Sequence, residues 1–198
     1  MKKMKKLLIA GVLSLSLFGF SGQSDAAVNT HNVKQGETYW TIAHQYGVSV
    51  LGLKNANNKT TDLLYAGEQI RIPNTQISAA DKELLARLVH AEAKGEPYAG
   101  KVAVATVVLN RLDSPLFPDT VSGVIYQKVS GYYAFTPVQN GAINSAPDQS
   151  SKKAVDEAIA FRGQGNGSLY FFNPKTSTSK WVFSRQTTVM IGKHRFAK

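Results

Sequence analysis

The sequence predicts an α+β protein of two units: a small strand–helix–helix–strand unit, then a larger one with helices first and a small antiparallel sheet later. Three observations predict it. Helical and strand-like segments fill residues 31–73 in that order. A long amphipathic helix opens the chain beyond residue 77, and aromatic, β-prone segments accumulate toward residue 196. Between them lies a short polar joint, Asn74-Thr75-Gln76-Ile77-Ser78, too short to let the units roam.

The N-terminus carries a different signal. Lys2, Lys3, Lys5 and Lys6 precede an apolar stretch from Leu7 to Phe20, and Ser24-Asp25-Ala26 offers small residues where a signal peptidase reads. This three-part pattern predicts a secretory signal peptide over residues 1–26, cleaved after Ala26; the apolar stretch is short for a membrane span, and an uncleaved anchor is the alternative. No later run is long enough to cross a bilayer, so no stable membrane anchor is expected after cleavage. Removing four Lys and one Asp with the leader lowers the net charge from +10 to +7. A basic exported chain suits anionic wall polymers, whereas its scattered cations do not form the stripe that nucleic-acid binding uses. Cysteine is absent. That excludes a cysteine nucleophile and thiolate zinc sites, and leaves stability to buried apolar surface.

Within the first unit, His31 to Lys34 reads as a strand and Gln35-Gly36-Glu37-Thr38 as a turn. Trp40, Ala43 and Tyr46 recur at helical spacing before Gly47, which places Trp40 in the core. Ser49 caps a second helix carrying Val50, Leu51 and Leu53, and Gln69 to Ile72 closes the unit as a strand. The run V-K-Q-G-E-T-Y-W-T-I-A-H-Q-Y-G-V-S-V, followed by N-A-N-N and L-L-Y-A-G-E-Q-I-R-I-P, resembles a lysin motif (LysM). The resemblance implies a βααβ domain over residues 27–76 that binds N-acetylglucosamine-containing glycans between two loops. The matching positions are Gly36, Glu37, Thr38 and Tyr39 in one loop and Asp62, Leu63, Leu64 and Tyr65 in the other. Tyr39 departs from the aliphatic residue common at its position.

In the second unit, residues 77–198, Ser78 and Asp81 are candidate caps for a helix whose apolar positions are Leu84, Leu85, Leu88 and Val89. Glu92 continues that stripe, at i+7 from Leu85, i+4 from Leu88 and i+3 from Val89. A carboxyl on a face that should be buried costs free energy unless it is paired or protonated, so its pKa should be raised. Glycosidic cleavage requires such a general acid. The alternative is a structural Glu paired with Arg87 or Arg111. Glu96 lies a turn further on and is read as a cap or as facing solvent. Residues 101–112 are apolar almost throughout and fit a buried strand or a buried helix equally. Val121–Gln127 and Gly131–Val138 read as β-prone; Lys152–Phe161 reads as a helix stopped by Gly163. Leu169–Phe172, Trp181–Phe183 and His194–Phe196 make up a β-rich end.

The strings L-L-A-R-L-V-H-A-E-A-K-G-E-P-Y-A-G-K-V-A-V-A-T-V-V-L-N-R, F-P-D-T-V-S-G-V-I-Y-Q, L-Y-F-F-N-P-K-T-S-T-S-K-W and I-G-K-H-R-F-A resemble the SleB/CwlJ-type cell-wall hydrolases, in order, over about residues 80–198. That family includes spore cortex-lytic enzymes. The resemblance implies a lysozyme-like, lytic-transglycosylase-like domain, favours a helix over residues 101–112, and places the family's catalytic acid on Glu92. Y-Y-A-F-T-P-V, residues 132–138, departs from the Gln-Phe-Ser pattern expected there. Two-carboxylate hydrolysis needs a second acid, and none of the remaining Asp and Glu stands out as a partner for Glu92. A lytic transglycosylase needs only one, because the C6 hydroxyl of N-acetylmuramic acid attacks its own anomeric carbon.

Phe135, Tyr170, Trp181 and Phe183 are candidates to line a sugar cleft, each equally suited to the core, and Asn110 and Asn173 are candidate acetamido contacts. A zinc amidase would draw its ligands from four His with no H-E-x-x-H spacing; His90 and His194 could join Glu92 only through long-range folding. No G-x-S-x-G elbow is present. A wall-binding or spore-coat protein without catalysis is the non-enzymatic reading. The expectation is therefore a secreted, wall- or spore-associated monomer acting on peptidoglycan glycan strands, with no cofactor, no metal and no nucleic acid.

Overall fold

The structure, a computed structural model, describes residues 29–74 and 77–198. The leader expected over residues 1–26 lies outside the described residues. No helix among the described residues is long and apolar enough to cross a membrane.

The first unit has the order β1 (Thr30–Asn32), α1 (Tyr39–Tyr46), α2 (Val50–Ala56) and β2 (Gln69–Arg71). β1 and β2 pair antiparallel with His31 opposite Ile70. α1 starts at a capping box: the Thr38 hydroxyl accepts from the Thr41 amide, and the Thr41 hydroxyl oxygen accepts from the Thr38 amide. It ends at Gly47, whose φ of 64° is the left-handed cap conformation that glycine adopts without strain. Ser49 caps α2 by accepting from the Gly52 amide, as expected.

The stripe that α1 buries is Tyr39, Ile42 and Ala43, together with Val33, Val48, Leu53, Ile70 and Ile72 from the rest of the unit. Trp40 is therefore not a core residue. It is 42% exposed and stacks on His44 one turn away, with ring centroids 5.3 Å apart. Both registers share Ala43, and the fully buried Ile42 selects the one that turns Trp40 outward.

The second unit opens with α3 (Ala79–Ala93) and α4 (Tyr98–Leu112). Ser78 and Asp81 cap α3 together, each accepting from the other's backbone amide. The apolar run over residues 101–112 forms a helix. α5 (Val121–Ile125) follows where a strand was expected: Thr120 caps it, and Val121, Val124 and Ile125 present an i, i+3, i+4 stripe to the core. Burial on a helical face overrides their β-propensity. β3 (Lys128–Val129) and β4 (Tyr132–Tyr133) form a hairpin over Ser130-Gly131, both at positive φ, the backbone of a type I′ turn.

α6 (Thr136–Gln139) and a single 3₁₀ turn at Ala142–Asn144 lead to α7 (Gln149–Ala160). β5 (Tyr170–Phe172), α8 (Lys180–Phe183), β6 (Thr187–Ile191) and β7 (His194–Ala197) complete the unit. Trp181–Phe183 is thus a helical turn and not a strand. Trp181 and Phe183 are 50% and 42% exposed, so no sheet neighbour holds them extended. The strand before β7 is β6, and the three strands pair antiparallel in the order β5-β7-β6.

α3, α4 and α7 pack around Leu85, Leu88, Val104, Val108, Val155 and Ile159. Asp148 ties these helices together. It caps α7 by accepting from the Ser151 amide at 2.6 Å, pairs with the buried Lys101 of α4 at 3.1 Å, and meets His90 of α3 at 3.4 Å. Hydrogen bonding from Ser151, then the Lys101 charge, hold its carboxyl well below the usual range. The small unit sits against this bundle through α1 and α7, with Leu51 of α2 lying at Gly163 just beyond α7.

Candidate active site

Glu92 lies in the last turn of α3, one residue before the buried Ala93 and two before the exposed Lys94. It is half-buried on the wall of a cleft of about 380 Å³. The cleft is completed by Arg111 from α4, residues 134–136 after the hairpin, Phe171 and Phe172 of β5, Asn173 and Thr176 beyond it, and His194 of β7. Six polar side chains converge there beside three phenylalanine rings, and the volume falls in the range of ligand sites.

Neither arginine considered as a partner reaches Glu92. Arg87 pairs with Glu83 at 3.5 Å, and Arg111 donates its Nε to the Leu169 carbonyl at 2.8 Å. Among the described residues, Glu92 has no ion pair, and burial alone raises its pKa from 4.5 to about 7. No other Asp or Glu among the described residues lines the cleft.

Of the remaining expected site residues, Phe135 and Asn173 line the cleft with Glu92. Phe135 does so while only 2% exposed. Asn110, Tyr170 and Trp181 do not line it. The Asn110 amide donates to the Ser168 carbonyl at 2.9 Å, fastening α4 to the segment entering β5. Tyr170 packs behind the cleft against Phe117 and, edge-on, Trp181, with centroids 6.2 and 5.0 Å away. Trp181 presents its other side to solvent under the Arg185 guanidinium.

Two groups in the cleft were not singled out as site residues. Arg111 continues the buried stripe of α4, at i+7 from Val104, i+4 from Val107 and i+3 from Val108, the same signal that marked Glu92. His194 had no local signal. It reaches the cleft through the pairing of β7 with β5, where it meets the Phe171 ring edge-on at 5.3 Å. Burial lowers its pKa, against a smaller opposing pull from Glu96, and its Nδ1 is buried without a partner among the described residues. Glu96 does not face solvent freely: its carboxylate accepts from the Lys193 amide at 2.8 Å, holding the β6–β7 turn beside the start of α4.

The loops of the first unit form a separate surface. Gly36, at φ 83°, has open space around it, and Leu63 and Tyr65 are 62% and 65% exposed. Three side chains of the first loop are occupied internally. Glu37 accepts from the Lys34 amide and meets His31 Nε2, each at 2.7 Å; hydrogen bonding from these groups lowers its pKa. Thr38 caps α1, and Tyr39 is 3% exposed. Tyr39 is thus a core residue whose side chain is withdrawn from the loop surface, because it heads the buried stripe of α1. Asp62 is exposed and pairs with Lys54 at 2.9 Å, while Leu64 packs partly on the core. The first loop therefore presents mainly backbone, and the second presents apolar side chains.

The Cell Wall Hydrolase family model matches residues 95–197, just over half of the chain. The chain belongs to the cell wall hydrolase family. The LysM domain model matches residues 31–73. The match to the first model begins three residues after Glu92. Among solved structures, the chain is similar to the catalytic domain of the germination-specific lytic transglycosylase SleB from Bacillus anthracis. Identity is 46%, the TM-score is 0.56, and the match covers 64% of this chain and all of that domain. The catalytic domain of Bacillus cereus SleB is 47% identical at the same TM-score, with 64% and 95% covered. A spore cortex-lytic enzyme of Halalkalibacterium halodurans is 49% identical over 116 residues, 59% of this chain and 34% of that protein. The match spans between a third and a half of such curated relatives.

Proposed function

We propose that the chain is a peptidoglycan-cleaving enzyme, a lytic transglycosylase that cuts between N-acetylmuramic acid and N-acetylglucosamine with Glu92 as its acid and base. One observation carries the reading. Among the described residues, Glu92 is a carboxyl without an ion-pair partner in a cleft, raised to about 7 by burial, with no second carboxyl lining that cleft. In the protonated form it delivers a proton to the leaving glycosidic oxygen. As a carboxylate it then takes the proton of the C6 hydroxyl while that oxygen closes on the anomeric carbon, forming a 1,6-anhydro ring. A pKa near the working pH suits a group that must play both parts. Two-carboxylate hydrolysis would need a partner about 5–9.5 Å away, and the cleft offers none among the described residues. The likeness to the B. anthracis SleB domain, a lytic transglycosylase, supports the same reaction class.

The first unit, over residues 27–76, serves in this reading as a glycan-holding module. Exposed Leu63 and Tyr65 cover sugar faces and the first-loop backbone meets acetamido groups. The second unit, residues 77–198, carries the chemistry. Export, and residence at the cell wall or spore, follow from the basic leader pattern and from the named spore cortex-lytic relatives. Mass spectrometry of fragments released from purified peptidoglycan tests the reaction. 1,6-anhydro-N-acetylmuramic acid ends are expected; new reducing ends would mean hydrolysis, and new free amino groups would mean amidase action.

A further inference from the structure

Arg111 is a buried cation without a counter-ion. It is 7% exposed, and no carboxylate lies within ion-pair distance of it among the described residues. One of its five N–H groups is committed, the Nε donating to the Leu169 carbonyl at 2.8 Å. Three rings surround the guanidinium instead, with Phe117 and Phe135 at 5.0 Å and Tyr170 at 5.6 Å. Burial lowers its pKa to about 10, so it keeps its charge at neutral pH. Removing a charge from water costs several kcal/mol unless a partner compensates, and ring faces compensate only in part. The carboxyl that shares its cleft does not serve: burial is the only influence that moves Glu92, and burial favours its neutral form.

From this juxtaposition we infer that Arg111 binds a carboxylate carried by the substrate strand, placing a substituent of N-acetylmuramic acid within the cleft of Glu92. Two sources share that chemistry: the lactyl carboxylate of the sugar when it is free, and a carboxylate of the peptide when the lactyl group is amidated. A planar guanidinium whose Nε is fixed by a carbonyl presents its outer nitrogens in a set orientation, the geometry for two parallel hydrogen bonds to a carboxylate. N-acetylglucosamine has no lactyl substituent, so the contact would also tell the two sugars of the strand apart and fix which glycosidic oxygen meets Glu92. The inference rests on the reading of this cleft as the glycan-cleaving site.

The experiment uses the full chain and four soluble probes: N-acetylmuramic acid, its methyl ester, N-acetylmuramoyl-dipeptide and N-acetylglucosamine. Binding is followed by NMR of the His194 ring, which reports the cleft and not the lysin-motif loops. At least one carboxylate-bearing probe should bind ten-fold or more tighter than the methyl ester. The free acid responding marks the lactyl source, and the dipeptide alone responding marks the peptide source. Arg111→Gln should erase the difference, and Arg111→Lys should restore part of it. Equal binding of acid, dipeptide and ester by the wild type overturns the inference without requiring any variant to fold. So does discrimination that survives in Arg111→Gln, or no response from any probe. Discrimination by a wild-type protein that releases nothing from peptidoglycan would leave the anion site standing and sink the enzymatic reading instead.

Discussion

Replacing Glu92 by Gln separates a proton donor from a structural carboxyl, and the structure sets the size of both effects. The unfolded chain releases this proton near pH 4.5 and the folded protein near 7. Between those values the unfolded chain binds fewer protons than the native one, so the carboxyl's contribution to stability falls as pH rises, and the loss is complete above about 7. A shift of that size is worth about 3 kcal/mol. Glu92→Gln, neutral at every pH, escapes the loss. Its melting temperature should match the wild type near pH 4.5 and exceed it by roughly 6–12 °C at pH 8, at 2–4 °C per kcal/mol for a chain of this length. Activity on soluble glycans should fall by about 10²-fold or more, because an amide cannot deliver a proton. Thermal melts from pH 4.5 to 8, paired with fragment release, read both quantities. Wild-type activity with a melting point lowered at every pH would make Glu92 structural and refute the reasoning.

Wild-type kcat/KM should decline as pH rises past about 7, where the free enzyme's acid loses its proton, and a profile flat to pH 9 would place the acid elsewhere. Deleting residues 27–76 should weaken sedimentation with insoluble peptidoglycan while the remainder folds and cuts short soluble strands. Circular dichroism of the remainder checks its fold, and the solved B. anthracis catalytic domain, matched over its full length, supports that outcome. Asp148→Ala removes the cap of α7 and leaves Lys101 buried without its partner. About 2 kcal/mol should be lost at pH 7, discounted because Asp148 itself is half-exposed. A depressed carboxyl stabilises above its unfolded pKa near 3.9 and loses that contribution below it, so variant and wild type should converge as pH falls under about 4 in urea titrations. Trp40→Ala should cost under about 1 kcal/mol by the same titration, against the 3–5 kcal/mol of a core tryptophan.

Glu92 was legible in the sequence because a helix of known register makes burial a matter of counting: three apolar neighbours at i−3, i−4 and i−7 place its side chain on the inward face. Arg111 obeys the same count on α4, yet it registered only as a possible counter-charge, since the run around it read equally as strand or helix. Trp40 shows how narrow the margin is in a helix of two turns. Shifting the stripe by one residue exchanges it with Tyr39, and only the strands beneath decide. Val121–Gln127 misled because β-branched and aromatic residues are favoured in strands, while the cap at Thr120 and the groove beside α3 and α4 settle the matter. His194, Thr136 and Thr176 were beyond reach. They join Glu92 in one cleft only through long-range folding, and no local period records a pairing between residues 171 and 196.

The strand order β5-β7-β6 has a consequence for how the cleft comes into being. The central strand of the sheet is the one synthesised after both of its neighbours, and it carries His194 to the wall opposite a helix that begins more than a hundred residues earlier. Until β7 inserts, β5 and β6 are two separated edges, the cleft lacks its His194 wall, and Lys193 has no amide positioned for Glu96. The cleft around Glu92 is thus completed by the same step that closes the sheet. A chain that lacked only its last strand would hold every other residue of the cleft and still leave Glu92 without the wall that faces it.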